Sequence, residues 1–293
     1  MRLIRKENVH AVHSHMYLAD LYLSRHLQMG KAKPVLLSKQ CGCYNLIESH
    51  EENSENSPFK SQVATIFSSL DGVVTMTEQH EQFLSRFSID RRRQKIYNGI
   101  PLPELKPPTP SDTLRCVMCA RDEPTKGWEA AIMGVIQMHD QGLSATLDLM
   151  GHGAHLEALE ERFGDHPAIT FLGAQSNPME LLTNYDIGML PSTFKAESLP
   201  NTVVEYQASG LATIATAVGE IPTLVCPDNR HAGILLQPDT QSTMAENIGE
   251  ALARYAKNEA LLQEHQCAAR EMRRRFDIRE TAQAYLDFQD GLA

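Results

Sequence analysis

From Leu114 onward the sequence alternates short apolar runs with amphipathic stretches of helical length, and this alternation restricts the fold more than any other feature. The short apolar runs at 114–120, 145–150, 168–172, 187–190, 212–216 and 233–236 read as strands. The stretches between them, at 126–138, 155–163, 200–209 and 240–255, carry helical periodicity. Strand, helix and strand in regular succession make a parallel sheet with crossover helices, an α/β domain. Several strands run into small or turn-forming residues, as in Met150-Gly151-His152-Gly153 and Leu190-Pro191-Ser192. The carboxyl ends of the strands therefore form an open rim, where ligands of doubly wound sheets bind.

The first hundred residues repeat the pattern less regularly. Strands are expected at 9–13, 34–37, 72–76 and 95–97, helices at 17–29, 62–69 and 78–86, and an exposed loop at 48–57. The proline-dense segment 101–110 cannot be helical and reads as an extended linker. The expected domains are 1–105, 106–275 and a terminal helix within 276–293.

With 293 residues the chain can bury such a core without disulfides or metal. The six cysteines lack zinc-knuckle spacing, since Cys116 and Cys119 lie inside an apolar run and Cys41, Cys43, Cys226 and Cys267 do not complement them, so they read as reduced thiols. Met1–Val12 lacks the apolar stretch of a signal peptide or a spanning helix, which makes a cytoplasmic protein the expectation. The net charge of −10 argues against a nucleic-acid binder, which needs a basic surface to displace counterions. Residues 1–105 carry 13 basic against 11 acidic side chains and the remainder 14 against 26, so the two parts are suited to different partners.

Two segments carry chemistry. In Ser192–Gly210, Glu197 follows a strand and Glu205 stands eight residues later on the next helix, with Pro200 suited to its first turn and Ser198 to its cap. Two acids so placed can hold hydroxyls of a sugar and a ribose. On spacing alone they are equally a surface acid and an ordinary helical acid. In Cys119–Trp128, Arg121 and Lys126 flank a strand-to-helix turn, where two cations and a helix N-terminus can grip a diphosphate; taken alone they are a solvated basic pair.

Together these segments resemble the retaining glycosyltransferases of family 4, whose donor site carries an E-x7-E motif followed by small residues, a strand and a glycine. Here these are Glu197, Glu205, Ser209-Gly210, 212–216 and Gly219. Arg121 and Lys126 look like the family's donor-phosphate pair, Asn98-Gly99 like the turn ending its N-terminal domain, and 186–192 like the strand before the first glutamate. The resemblance implies a GT-B fold, two Rossmann-like domains facing each other across a cleft. It implies a catalytic set of Glu197, Arg121 and Lys126, and a donor site of these with Ser198, Leu199, Glu205 and Gly151. It also implies a UDP- or GDP-sugar as donor, a glycan or lipid-linked acceptor, and a role in bacterial surface polysaccharide or lipopolysaccharide assembly.

His13 and His15, on one face of a strand end, resemble a histidine pair lining the family's cleft. The run 36–42 lacks the histidine expected after the next strand. No Asp-x-Asp occurs, so metal-independent transfer is expected, with no cofactor. By resemblance the first domain begins late, by roughly 70 to 80 residues, about half an ordinary domain, while the terminal helix is present. The alternative readings are a donor-binding protein without activity of its own, either a truncated remnant or one chain of a two-chain transferase whose partner supplies the missing segment, and a sugar-nucleotide epimerase. Arg91-Arg92-Arg93-Gln94-Lys95 adds an expected peripheral contact with anionic lipid at the inner membrane face.

Overall fold

The computed structural model describes residues 9–15, 17–26, 35–39, 58–107, 111–194 and 197–292. Cys41, Cys43 and the expected loop at 48–57 lie outside them. The chain separates into two compact units, Met1–Gly99 with Ile278–Ala293, and Ile100–Asp277.

The first unit holds a four-stranded parallel sheet in the order β1 (Ala11–His15), β2 (Val35–Lys39), β3 (Gly72–Thr75), β4 (Arg92–Lys95). Helices α1 (Tyr17–His26), α2 (Pro58–Ser69) and α3 (Glu78–Arg86) make the crossovers. Helix α3 starts where Thr77 accepts the His80 amide at 3.1 Å, and Glu78 and Glu81 in its first turn complement the helix dipole. Leu36, Val63, Ile66, Phe67, Val73 and Phe83 form the core on one side of the sheet. A C-terminal helix, Ile278–Asp290, packs Phe288 against Leu37, Val74 and Ile96.

The fourth strand corrects the expectation of 95–97. It is a charged stretch at the sheet edge, where charge discourages pairing with a second chain and leaves no hydrophobic signal to read. The first two strands likewise lie one or two residues later than expected.

The second unit is a six-stranded parallel sheet made of β5 (Leu114–Cys119), β6 (Ala145–Met150), β7 (Ile169–Phe171), β8 (Ile187–Leu190), β9 (Ala212–Thr216) and β10 (Gly233–Leu236). Their order across the sheet is β10-β9-β8-β5-β6-β7. This is the doubly wound order of dinucleotide-binding folds. The connecting helices are α4 (Trp128–Asp140), α5 (Ala154–Phe163), α6 (Pro178–Leu182), α7 (Asn201–Ala208) and α8 (Ile221–Val225), followed by α9 (Gln241–Lys257) and α10 (Glu259–Met272).

Helix α9 buries Met244, Ile248, Leu252 and Tyr255 along one stripe. It lies so close to α4 that a Cβ at Gly134 would come within 2.8 Å of Ile248. Helices α6, α8 and α10 were not foreseen. The first two are a turn and a half long, and α10 is largely polar, with Leu262, His265 and Ala269 as its buried residues.

Two boundaries differ for local reasons. Helix α4 starts at Trp128 rather than 126, because Gly127 takes a φ of +85° after a 3-10 turn at Pro124–Lys126. Pro200 is the N-cap of α7 and not part of its first turn. Ser198 does not cap that helix, and among the described residues its buried hydroxyl has no hydrogen-bond partner.

Candidate active site

The strand order reverses between β5 and β8, and such a reversal opens a crevice beyond the strand ends. The two strands pair only at Cys116 with Ile187 and Val117 with Gly188, then part. Tyr206 fills the gap. Its hydroxyl accepts the Cys119 amide at 2.8 Å and donates to the Met189 carbonyl at 3.1 Å. Its ring lies over Gly188, where a Cβ would approach to 2.3 Å.

The loops leaving these strands bring Lys126 and Glu197 together. Lys126 Nζ lies 2.7 Å from Glu197 Oε2, with the side chains 7% and 10% exposed. Ser192 Oγ donates to the same oxygen at 3.0 Å, and the Phe194 ring centroid is 5.5 Å from the ammonium.

The surrounding backbone fixes this geometry. The Thr193 amide donates to the Thr125 carbonyl at 2.8 Å, and the Thr216 hydroxyl donates to the Ser192 carbonyl. Two glycines admit the close approaches: a Cβ at Gly127 would meet the Pro191 carbonyl at 2.2 Å, and one at Gly219 (φ +56°) would meet the Glu197 carbonyl at 1.5 Å. The Glu220 amide then donates to the Ser198 carbonyl at 3.1 Å. A buried ammonium and carboxylate, held at a sheet's switch point by three loops, can act on a charged and hydroxylated ligand.

The other expected donor residues are distributed around this pair. Arg121 is on the Lys126 loop but 74% exposed, ion-paired to Glu123 at 2.9 Å. Glu205, next to Tyr206, is half-buried, and burial pushes its carboxyl pKa up; among the described residues its side chain takes no hydrogen bond. Ser198 and Leu199 follow Glu197 directly. Gly151 follows β6, where a Cβ would lie 2.7 Å from the tip of Leu156, 3.0 Å from Trp128 and 3.1 Å from the Ala120 carbonyl, so close packing favours a glycine there.

His13 and His15 belong to the first unit. His13 Nε2 lies 3.0 Å from Gln289 Oε1. Burial, followed by Lys39 and His13, holds the His15 pKa below its ordinary value. The basic run 91–95 is partly neutralised within its own unit, by Arg93 to Glu81 and Lys95 to Glu78, each at 3.2 Å.

Reading the sequence missed Ser192, Tyr206 and Asp122. Asp122 accepts the amides of His155 and Leu156 at 3.0 and 2.9 Å, capping α5 from another loop. Gly153 (φ +149°) makes room, since a Cβ there would lie 2.0 Å from the Asp122 carboxylate. The amino end of α5 is thereby already supplied with an anion. The signal in the sequence was the Gly-x-Gly after β6, without any indication of what it approaches.

A cavity of about 270 Å³ opens on the same rim, lined in part by Gly127, Glu129, Pro191 and Gln241. A hydrogen bond from Gln241, then Arg162 at 2.6 Å, holds the Glu129 carboxyl pKa below its ordinary value. That carboxylate makes the cavity a poor place for a phosphate.

Residues 113–254 match the family model described as glycosyl transferases group 1. No curated protein matches the chain in sequence. Among solved structures it is similar to sucrose-phosphate synthase from Thermosynechococcus elongatus (TM-score 0.74, 19% identity, 99% of this chain and 75% of that one). It is also similar to a glycosyltransferase from Rickettsia africae ESF-5 (0.74, 18%, 99% and 79%). A third is the pneumococcal O-GlcNAc transferase GtfA, solved with UDP and GlcNAc (0.68, 16%, 93% of this chain), of which the chain spans 59%. The fold is thus α/β with parallel sheets, of the type found in GT-B glycosyltransferases. Within it, the second unit carries the stretch that matches the group 1 transferases.

Proposed function

We propose that this chain is a glycosyltransferase that moves a sugar, with retention and without a metal, from a nucleotide-sugar donor to a glycan or lipid-linked acceptor. The observation that carries the reading is the buried Lys126–Glu197 pair at the switch point of the second unit. Breaking the anomeric C–O bond of a nucleotide sugar leaves negative charge on the diphosphate and positive character on the sugar ring. A fixed cation at the leaving group stabilises that charge, and a carboxylate beside it can hold sugar hydroxyls.

In this reading Lys126 exchanges Glu197 for the diphosphate, Glu197 turns to the sugar, and the exposed Arg121 closes on the outer phosphate. Glu205 takes the ribose hydroxyls, the backbone and hydroxyl of Ser198 with Leu199 line the phosphate side, and Gly151 lies at the floor. The match to group 1 transferases and the UDP bound by GtfA support the donor class. The absence of Asp-x-Asp from the sequence favours metal independence. A place in surface polysaccharide or lipopolysaccharide assembly rests on family analogy.

Calorimetric titration with UDP, UDP-glucose, UDP-GlcNAc and GDP-mannose tests the donor site. Binding is expected for one nucleotide and lost in Lys126→Ala and Glu197→Ala; affinities unchanged in both variants would sink the assignment. Transfer that persists in EDTA, and proton NMR of the anomeric configuration of the product, test the rest.

A further inference from the structure

The cavity of the second unit, which the donor reading leaves unused, has an apolar floor and a polar rim. Ala130 on the first turn of α4, Pro191 after β8 and Met244 on α9 form the floor, and all three are buried. Glu129, Thr193 and Gln241 stand at the rim, with Asp239 and His155 beyond them. Neither Lys126 nor Glu197 lines the cavity. At about 270 Å³ it falls just under the roughly 300–1,000 Å³ that holds drug-sized ligands, so it has room for one sugar ring and none for a nucleotide.

The rim sets the charge of the occupant. The Glu129 carboxyl is held below its ordinary pKa chiefly by Gln241; burial opposes this, and Arg162 at 2.6 Å adds to it and matches the charge. Asp239 is exposed to solvent and accepts the Thr240 amide at 2.6 Å. Two carboxylates against one guanidinium repel an anion, and neither carboxylate requires a further cation. An ionised carboxylate offers about four acceptor positions, so Glu129 retains capacity for hydroxyl donors beyond Gln241 and Arg162. The exposed Thr193 hydroxyl, at a long 3.4 Å from the Thr125 carbonyl, can both donate and accept. A neutral ring with hydroxyls around its edge and C–H groups on its face matches both the rim and the floor.

We propose that this cavity binds one uncharged sugar ring. The site lies wholly within the second unit. Gly127 follows Lys126, Pro191 and Thr193 lead into the loop of Glu197, and the Thr193 amide donates to the Thr125 carbonyl at 2.8 Å. The ring therefore rests against the loops that hold the ion pair, and belongs to the glycan acceptor. That assignment rests on the transferase reading above; the affinity for a neutral sugar does not.

The test uses the full chain saturated with UDP, carrying carbon-13 in its methionine methyl groups, and follows the Met244 resonance, assigned with Met244→Leu. The probes are the methyl glycosides of glucose, galactose, mannose, glucuronate and glucosamine. At least one neutral glycoside is expected to shift the resonance saturably. The glucuronide should bind about tenfold more weakly, and the glucosaminide no more tightly, than the best neutral sugar. Glu129→Gln and Thr193→Val should each weaken that response about threefold to tenfold.

A Met244 resonance unmoved by every neutral glycoside while UDP binds overturns the site and leaves the donor reading standing. A shift undiminished in both variants also overturns the site, and tighter binding of the acidic or the amino sugar overturns the class of ligand. A neutral-sugar response in a chain that does not bind UDP keeps the site and overturns the acceptor assignment with the transferase reading.

Discussion

The two units use the same architecture, yet they bury their polar groups in different places. In the second unit Lys126, Glu197, Ser192 and Thr216 cluster at the strand ends around the switch point. In the first unit Asp20 and His80 are buried among serine and threonine hydroxyls, with Asp20 bound to Ser14 and Ser38 and His80 Nδ1 accepting the Met76 amide at 3.3 Å. Buried charge in the larger unit thus stands where a ligand can use it, and in the smaller one polar burial is part of the scaffold. The difference leads us to expect that the second unit can lose its buried charges and keep its fold, provided both go together, whereas the first has a fold that depends on protonation.

The largest effect is expected from splitting the ion pair. Glu197→Ala or Lys126→Ala alone leaves one buried charge unmatched, at a cost of about 3–5 kcal/mol. The double variant Lys126→Met/Glu197→Gln should recover most of that stability while remaining inactive. Trp128, the chain's one tryptophan and fully buried in the second unit, lets urea unfolding of that unit be followed by fluorescence. A double variant no more stable than the singles would break the comparison.

Next comes the pH response of the first unit. Burial, then Lys95, lowers the His80 pKa from 6.5 to about 4. The unfolded chain therefore takes up the proton first, and the contribution is fully present above pH 6.5 and lost as pH falls toward 4. The loss amounts to about 3 kcal/mol. His80→Asn, whose amide oxygen can replace Nδ1 as acceptor, should flatten this part of the profile in circular dichroism melts taken between pH 7 and 4; an unchanged slope counts against the role given to His80.

Smaller still is the α5 cap. Asp122→Ala should lower the unfolding free energy followed at Trp128 by about 1 kcal/mol, and Gly153→Ala, forced into a φ of +149°, by about 1–3 kcal/mol. The least effect on stability belongs to Arg121→Ala. Its side chain is exposed and held by one solvent-facing pair, so the midpoint should stay put while transfer falls. A variant that unfolds early would show Arg121 to be structural.

How much of this was legible in the sequence depended on the range of the interaction. Strands β5, β6 and β8 to β10 announced themselves as short, largely apolar runs between turn signals, and β8 and β9 are buried along their whole length. Lys126 and Glu197 each stood out as candidate ligand groups from their loops, but their ion pair did not. It exists only because β8 inserts beside β5, a choice made by sheet order between residues 71 positions apart. The Asp122 cap was hidden for the same reason, since its partners lie 33 and 34 residues away. Strand β4 failed differently: an edge strand written in arginines has no hydrophobic pattern to detect.

The pairing of Gly188 with Tyr206 has a consequence for how this sequence can change. The ring leaves no room for any side chain at 188, and the hydroxyl supplies a donor and an acceptor that the parting strands need. Replacing the tyrosine first opens a hole and orphans two backbone groups; replacing the glycine first drives the ring out. Neither position has a tolerable single step, so across descendants of this sequence the two should be inherited as one character, retained together or exchanged together.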